Sequence, residues 1–511
     1  MLNNVKALVV ILALALVVFH VVRPVCLRFM SPQSYSLRRN VWLALTVVAF
    51  LSPSFWPYAA FALLLLFWAS LRDENPLALY LLVAFTVPNA SFQLPAVLVN
   101  QLFDLTQFRI LSLAVLLPAI ARMSKQPAGL NLAGARTADV LLLAFLALQL
   151  VLFMPYESVT NTMRRAFLFM IDSVVLLYLV SRLSGREKII EVMASFWLAC
   201  MIMAPVAIFE WARGWLLYTG LVQTWGETNA FAWLLRGNSL RAQAATGHSI
   251  TLGYLLSVGL GFFLYLRGQM SSRGLSWASV FLLLTGIFLS GSRGAWLTAA
   301  VVVFVFVLMR PDAARKLATA AAMGVVAIAV MYVTPLKESV LDRLPFIGSA
   351  DQGTIEYRQQ LAETSWSLIL QNPFFGDPFV VLRMEALRQG QGIIDIVNGY
   401  IFTALFSGLV GLLLQVSVFI FVCGMAVRIV LRVRRDDPDM GLLGASLLAS
   451  LIASLAFVAT AGWSFMMYVI AGLLVSLTAE LNAMRVRGTP PSAFASPVSA
   501  LKPAMGKQWS R

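Results

Sequence analysis

Three arginines stand in apolar surroundings, where a charge needs a reason: Arg241 in RGNSLRAQAATGHSITLGYLL (236–256), Arg293 in FLSGSRGAWL (288–297) and Arg358 in GTIEYRQQLAETSWSLILQNPFFG (353–376). A guanidinium stays protonated and presents a planar fork of donors that matches phosphate and carboxylate. Such residues beside membrane-like sequence point to an anionic partner. Arg236 and Arg241 precede small residues, and Gly247-His248 leads straight into the next apolar run. A helix starting there offers free backbone N–H groups, which together with Arg241 form an anion site. His248, one of two histidines, has the pKa range for acid–base work. A hydrogen bond at a helix interface explains a single histidine more simply. Gly286, Ser290 and Gly294 lie four apart, a spacing that close helix packing alone accounts for. Ser292 and Arg293 between them leave almost no polar loop, and packing does not account for the arginine.

The elements that must position these residues are membrane helices. Of 511 residues, 60% are hydrophobic and only 12% charged, with a mean hydropathy of +0.83, more apolar surface than one soluble core can hide. A crossing takes roughly 20 apolar residues. Runs of suitable character fall at 4–23, 40–53, 55–70, 77–92, 108–121, 138–155, 163–181, 189–210, 250–266, 275–291, 294–309, 317–333, 398–427, 441–459 and 463–481. The sequence therefore predicts an all-α polytopic membrane protein with about 13 to 15 transmembrane helices. Barrel strands of about ten alternating residues are absent from it. Arg23-Pro24 after the first run, in place of a small-residue cleavage site, predicts an uncleaved first span.

Basic residues mark alternate connections: Arg38 and Arg39, Arg72, Arg122 with Lys125 and Arg136, Arg182 with Arg186 and Lys188, Arg267 with Arg273, Arg310 with Arg315 and Lys316, and Arg428 to Arg435. The positive-inside rule makes these cytoplasmic, so the net charge of +15 reads as a topology signal and not as nucleic-acid binding. Cys26, Cys200 and Cys423 have neither disulfide nor zinc spacing, and no cofactor is expected. The organisation predicted is a helical N-terminal part (1–185), a membrane core (186–433) with external loops 212–249 and 334–397, C-terminal spans (434–481) and a basic, disordered cytoplasmic tail (482–511).

The second loop predicts a helix that starts near Thr354 as its cap, has Glu356 in its first turn and ends at Asn372-Pro373. Helical spacing puts Ile355, Ala362, Ser365, Trp366 and Ile369 on one face and Glu356, Gln359, Gln360 and Glu363 on the other. Arg358 falls on the apolar face, either snorkelling to water or holding an anion.

Three segments in order, RAQAATGHSITLGYLL (241–256), GSRGAWL (291–297) and YRQQLAETSWSLILQNPFFGDP (357–378) with IVNGYIFTALFSGLVGLLL (396–414) closing the long loop, resemble the bacterial O-antigen ligases and Wzy-type polysaccharide polymerases. The resemblance covers roughly residues 190 to 430. It implies a metal-independent glycosyltransferase acting on oligosaccharides carried by undecaprenyl diphosphate, at the periplasmic face of the inner membrane. It further implies that Arg241, Arg293 and Arg358 serve the lipid diphosphate, with Arg236, Gly247, Ser292 and Asn398 lining the substrate site. Ligases of this kind carry a histidine just before the Asn that matches Asn398. Here the stretch is IIDIVNGYI, so a carboxylate such as Asp395, Glu356 or Glu363, or His248, stands as the available base. The missing histidine favours an exopolysaccharide polymerase over a ligase. Lipid-linked donor and acceptor glycans, membrane lipid, a chain-length regulator and a flippase are the partners implied. A transporter or flippase is the reading from another class, resting on Asp172 inside a span and Glu210 near a membrane end.

Overall fold

In lipid, a backbone has no water to satisfy it, so apolar runs of this length fold as helices. The computed structural model describes residues 2–95, 101–123, 133–226, 234–236, 239–270, 272–310, 312–316, 318–319, 352–389 and 394–486. Among these, eight helices are long and apolar enough to cross a membrane: Asn3–Cys26, Phe55–Arg72, Ala133–Phe153, Arg186–Arg213, Ser249–Gln269, Gly399–Asp436, Pro438–Val458 and Phe465–Met484. Two shorter apolar helices, Arg273–Leu289 and Arg293–Leu308, lie between them. The protein is an all-α polytopic membrane protein, its only described strands being two two-residue hairpins, Phe92–Gln93 with Asp104–Leu105 and Leu235–Arg236 with Ser239–Leu240. The expected span at 317–333 and most of the tail lie outside the described residues.

Several expected spans differ in shape. The run expected at 40–53 begins earlier, at Pro32, where Ser31 caps the helix by accepting from Ser34 N. The run at 77–92 is helical only over Pro76–Val83. Beyond it Pro88 disfavours helix in the preceding residue, and the chain leaves the helical path. The runs at 107–123 and 159–180 are helical but carry π-helical turns, at Ser112–Leu116 and Met170–Val174.

Contacts sort the connections onto two faces. On the basic face Arg28 donates to the Gln269 carbonyl (2.9 Å), Asn75 to the Lys188 carbonyl (3.0 Å) and Arg434 to the Met309 carbonyl (3.4 Å), while Arg186 pairs with Asp439. Arg38 is fully buried there. It holds Asp73 through two bonds (2.8 and 2.6 Å) and meets Glu191 (2.7 Å) and Ser195 (3.2 Å). On the opposite face Asn4 donates to the Gly220 carbonyl (3.2 Å), Ala242 N to the Leu289 carbonyl (3.1 Å) and Gly399 N to the Ala461 carbonyl (2.9 Å). One continuous buried cluster draws on residues from Ala7 to Leu481.

The long-loop helix runs over Gln352–Gln371. It starts two residues before Thr354, which therefore lies inside it and is not its cap. Among its described side chains Leu361, Ser365 and Ile369 are buried, whereas Trp366 is 62% exposed and Arg358 and Ala362 are exposed too; the side chain of Ile355 lies outside the described residues. Ser365 and Ile369 thus lie on the expected face, while Trp366, Ala362 and Arg358 are turned away from it. Apolar periodicity misassigns them because a membrane protein also leaves apolar side chains outside, as Leu370, Phe374 and Phe375 show.

After this helix the chain docks into a break in the Gly399–Asp436 helix. Gly408 there is non-helical (φ 65°, ψ −171°), and the bonds lost at the break are replaced from the 373–377 turn. Leu409 N donates to the Pro373 carbonyl (2.8 Å), Val410 N to Phe374 O (3.2 Å) and Asp377 N to Leu405 O (2.8 Å). A Cβ on Gly408 would lie 2.2 Å from the Phe374 backbone. Gly408→Ala should therefore expel the turn. Limited proteolysis in detergent should cleave near residues 373–378 faster and the melting temperature should fall. Gly424→Ala, which meets open space in the same helix, should leave both unchanged or slightly improved. Equal protease resistance of the two variants would disprove the docking.

Candidate active site

The segment carrying Arg241 and His248 is shaped from below by a carboxylate. Glu210, fully buried near the end of the Arg186–Arg213 helix, accepts from Leu217 N (3.0 Å), Gln243 N (2.9 Å) and Ala244 N (2.8 Å). These bonds close a tight turn in which Ala244 takes φ 45° and Gly247 φ 72°. His248 then caps the Ser249–Leu266 helix, its Nδ1 accepting from Ile250 N (3.3 Å).

The turn sets Arg241 against the stretch that leads into Arg293. Arg241 Nε donates to the Ser290 carbonyl (3.1 Å), and its side chain lies across Gly291 (φ 60°), where an added Cβ would meet Arg241 Cγ at 3.1 Å. Arg293 opens the next helix two residues on, and its Nε and Nη2 are buried. Ser292, expected in the substrate site, caps that helix by accepting from Ala295 N (3.4 Å). Asn398 is likewise a cap, accepting from Tyr400 N (3.0 Å) and Ile401 N (3.1 Å). Their side-chain oxygens are thereby committed to the backbone. Arg236 lies in the short hairpin, opposite Ser239; its side chain is outside the described residues.

Beside this turn is a cavity of about 740 Å³, within the range of roughly 300–1,000 Å³ usual for ligand sites. Gly247, His248 and Asp395 line it, and Phe85, Phe108 and Phe465 form an aromatic wall, with ring centroids 4.7 Å apart for the last two. Arg358 and Glu356 are exposed on the long-loop helix. The helix reaches the cavity through Tyr357, whose hydroxyl donates to the Asp395 carbonyl (3.3 Å) and accepts from Asp395 N (3.0 Å).

The charges around His248 register this proximity. Removal from water is the main cause holding its pKa below the ordinary value, Arg241 pushes in the same direction, and Asp395 opposes both. The imidazole is therefore neutral near pH 7. With Nδ1 accepting, the proton sits on Nε2, so His248 can donate there but cannot take up a proton at that atom. That argues against it as the general base.

Two residues of the cavity were missed in the sequence as partners. Arg109 pairs with Asp172 (3.0 Å), and both line the cavity. Each sits at or next to a π-helical turn, a feature frequent at functional sites. Asp172 has a counter-ion and Glu210 holds a turn, so neither is the isolated midplane carboxylate expected of a carrier. Arg109 lies in a run whose apolar character hid it; Glu210 did carry a signal, a carboxylate at the end of an apolar span.

The fold and the cavity define a multi-pass helical membrane protein with a half-open polar and aromatic site on the face away from its basic connections. Residues 278–416 match the family model described as O-Antigen ligase, a family of glycan-transferring membrane enzymes. The match includes Arg293 and Arg358 but not Arg241 or His248. No curated protein matches the chain.

Histidine-selective NMR in detergent, with His20 replaced by Gln, tests the geometry. Arg241→Ala should raise the His248 pKa and Asp395→Asn should lower it further. If the two variants titrate identically to the parent, the three side chains do not share one electrostatic site.

Proposed function

We propose that the protein polymerises lipid-linked oligosaccharide repeat units, transferring a glycan from undecaprenyl diphosphate to the non-reducing end of a second lipid-linked unit at the periplasmic face of the inner membrane. The observation that carries this reading is Arg241 lying across Gly291, two residues before Arg293, on the turn that leads to His248 in the cavity Asp395 also lines. In the transfer, the bond from the anomeric carbon to the diphosphate oxygen breaks and a glycosidic bond to the acceptor oxygen forms. Undecaprenyl diphosphate leaves with the electron pair, and the acceptor hydroxyl proton passes to the Asp395 carboxylate. Negative charge grows on the diphosphate as the bond breaks, and paired guanidinium forks stabilise it without a metal ion. The Nε2–H of His248 adds a neutral donor to the same cavity. Arg358 serves the cavity from the long-loop helix, whose Tyr357 is tied to Asp395.

A ligase that moves a finished glycan to lipid A-core is the second reading, favoured by the description of the matching family. Polymerase is preferred because Ile396 and Val397, and no histidine, precede Asn398. Reconstituted protein given only lipid-linked repeat units separates the two: chain growth is expected, and its absence in the presence of intact substrate would sink the polymerase. In the same assay Arg241→Ala, Arg293→Ala and Arg358→Ala should each lose roughly tens to hundreds of times in rate, since one charge-assisted donor at a developing anion is worth about 2 to 4 kcal/mol. Lysine replacements should restore little, because a point charge does not reproduce the fork. Parental rates from all three alanine variants would refute the shared anion site.

A further inference from the structure

A second cavity of about 560 Å³ adjoins the first, and Asp172 lines both. Its wall is the helix Val159–Phe169, whose polar and apolar residues fall on opposite sides. Val159, Met163 and Phe167 are 66%, 67% and 40% exposed on one side, and Asn161, Arg164 and Arg165, the first and last of them exposed too, line the open cavity on the other. In a chain this apolar, an open cavity lined by an amide, two guanidinium groups and two carboxylates offers them to a polar occupant. The charges there balance: Arg164 and Arg165 stand against Glu157 and Asp172. Arg165 pairs with Glu157, Asp172 with Arg109, and Arg164 donates to the Leu102 carbonyl (2.6 Å) and to Asn161 Oδ1 (2.9 Å). A balanced set does not suit a diphosphate. It suits a neutral polyhydroxyl ligand, whose hydroxyls find acceptors in the carboxylates and donors in the amide and guanidinium groups, while Phe169 supplies an apolar face.

We propose that this cavity is a glycan subsite, holding an oligosaccharide whose reacting end reaches the main cavity past the Arg109–Asp172 pair. It rests on the glycan-transfer reading above, extending it to where the sugar chain lies. The test uses full-length protein in proteoliposomes and two probes: lipid-linked oligosaccharide extracted from host cells lacking this protein, and bare undecaprenyl diphosphate. Asn161→Trp, which fills the cavity, and the milder Arg165→Gln should each weaken binding of the lipid-linked oligosaccharide. A loss of about one hydrogen bond is worth roughly tenfold in KM, with kcat nearly unchanged and shorter products. Binding of bare undecaprenyl diphosphate should stay at the parental level in both variants. Parental KM and product length in both would overturn the subsite, as would equal weakening of both probes, which would make the cavity a headgroup site. Direct binding is read without turnover, so a parent protein that binds the oligosaccharide but forms no polymer would fail the transfer reading and not the subsite.

Discussion

The buried carboxylate of Glu210 is the interaction on which the rest of the site depends. It receives three backbone N–H groups from two separate stretches, residues 217 and 243–244. A hydrogen bond contributes about 0.5–1.5 kcal/mol net, three of them together more than the roughly 1–2 kcal/mol that a non-glycine residue in the left-handed region costs. The bonds therefore outweigh the strain at Ala244, and the turn persists. Its persistence lets Ala242 N reach the Leu289 carbonyl, which sets the register that lays Arg241 across Gly291, two residues before Arg293. Remove the carboxylate and the turn that carries Arg241 loses three of its backbone anchors.

A second constraint explains where the irregular backbone lies. In a bilayer, unpaired peptide groups are tolerated only where protein or a polar cavity covers them. The π-helical turns at Ser112–Leu116 and Met170–Val174, the tight turn at 244–247 and the early end of the 76–83 helix all border the main cavity. The break at Gly408 is the exception that shows the rule, because its open peptide groups are met by the backbone of the 373–377 turn. The helix that carries Arg358 is anchored at one end by this docking and, near the other, by Tyr357 on Asp395. Loop and membrane core are in this way one construction.

The sequence made Arg241, Arg293 and Asp395 legible because a charge in an apolar setting stands out, and the fold class was legible from run length alone. Contacts over long separations were not. Arg109 and Asp172 lie 63 residues apart, and no local pattern pairs them. Ser292 and Asn398 looked like substrate ligands because capping residues and binding residues share the same chemical types, and only the hydrogen bonds tell them apart. Arg358 was placed on the wrong face because the rule that apolar means buried fails where lipid or a membrane interface replaces water.

The absent histidine before Asn398 takes on a different weight once the geometry of His248 is known. A histidine whose Nδ1 is spent on a helix cap, and whose pKa is held down by desolvation and by Arg241, cannot stand in for the lost base. A carboxylate is a weaker base than imidazole, so on the transfer reading, with Asp395 as the base, the rate must come from the departing group. A diphosphate is already a good leaving group, and on that reading the guanidinium forks of Arg241 and Arg293 would improve it further. On the transfer reading, the loss of a strong base and the care taken to fix Arg241 against Arg293 are then two sides of one solution. The barrier is lowered on the phosphate side of the bond, and the acceptor side needs only a group that takes the proton once the new bond is nearly formed.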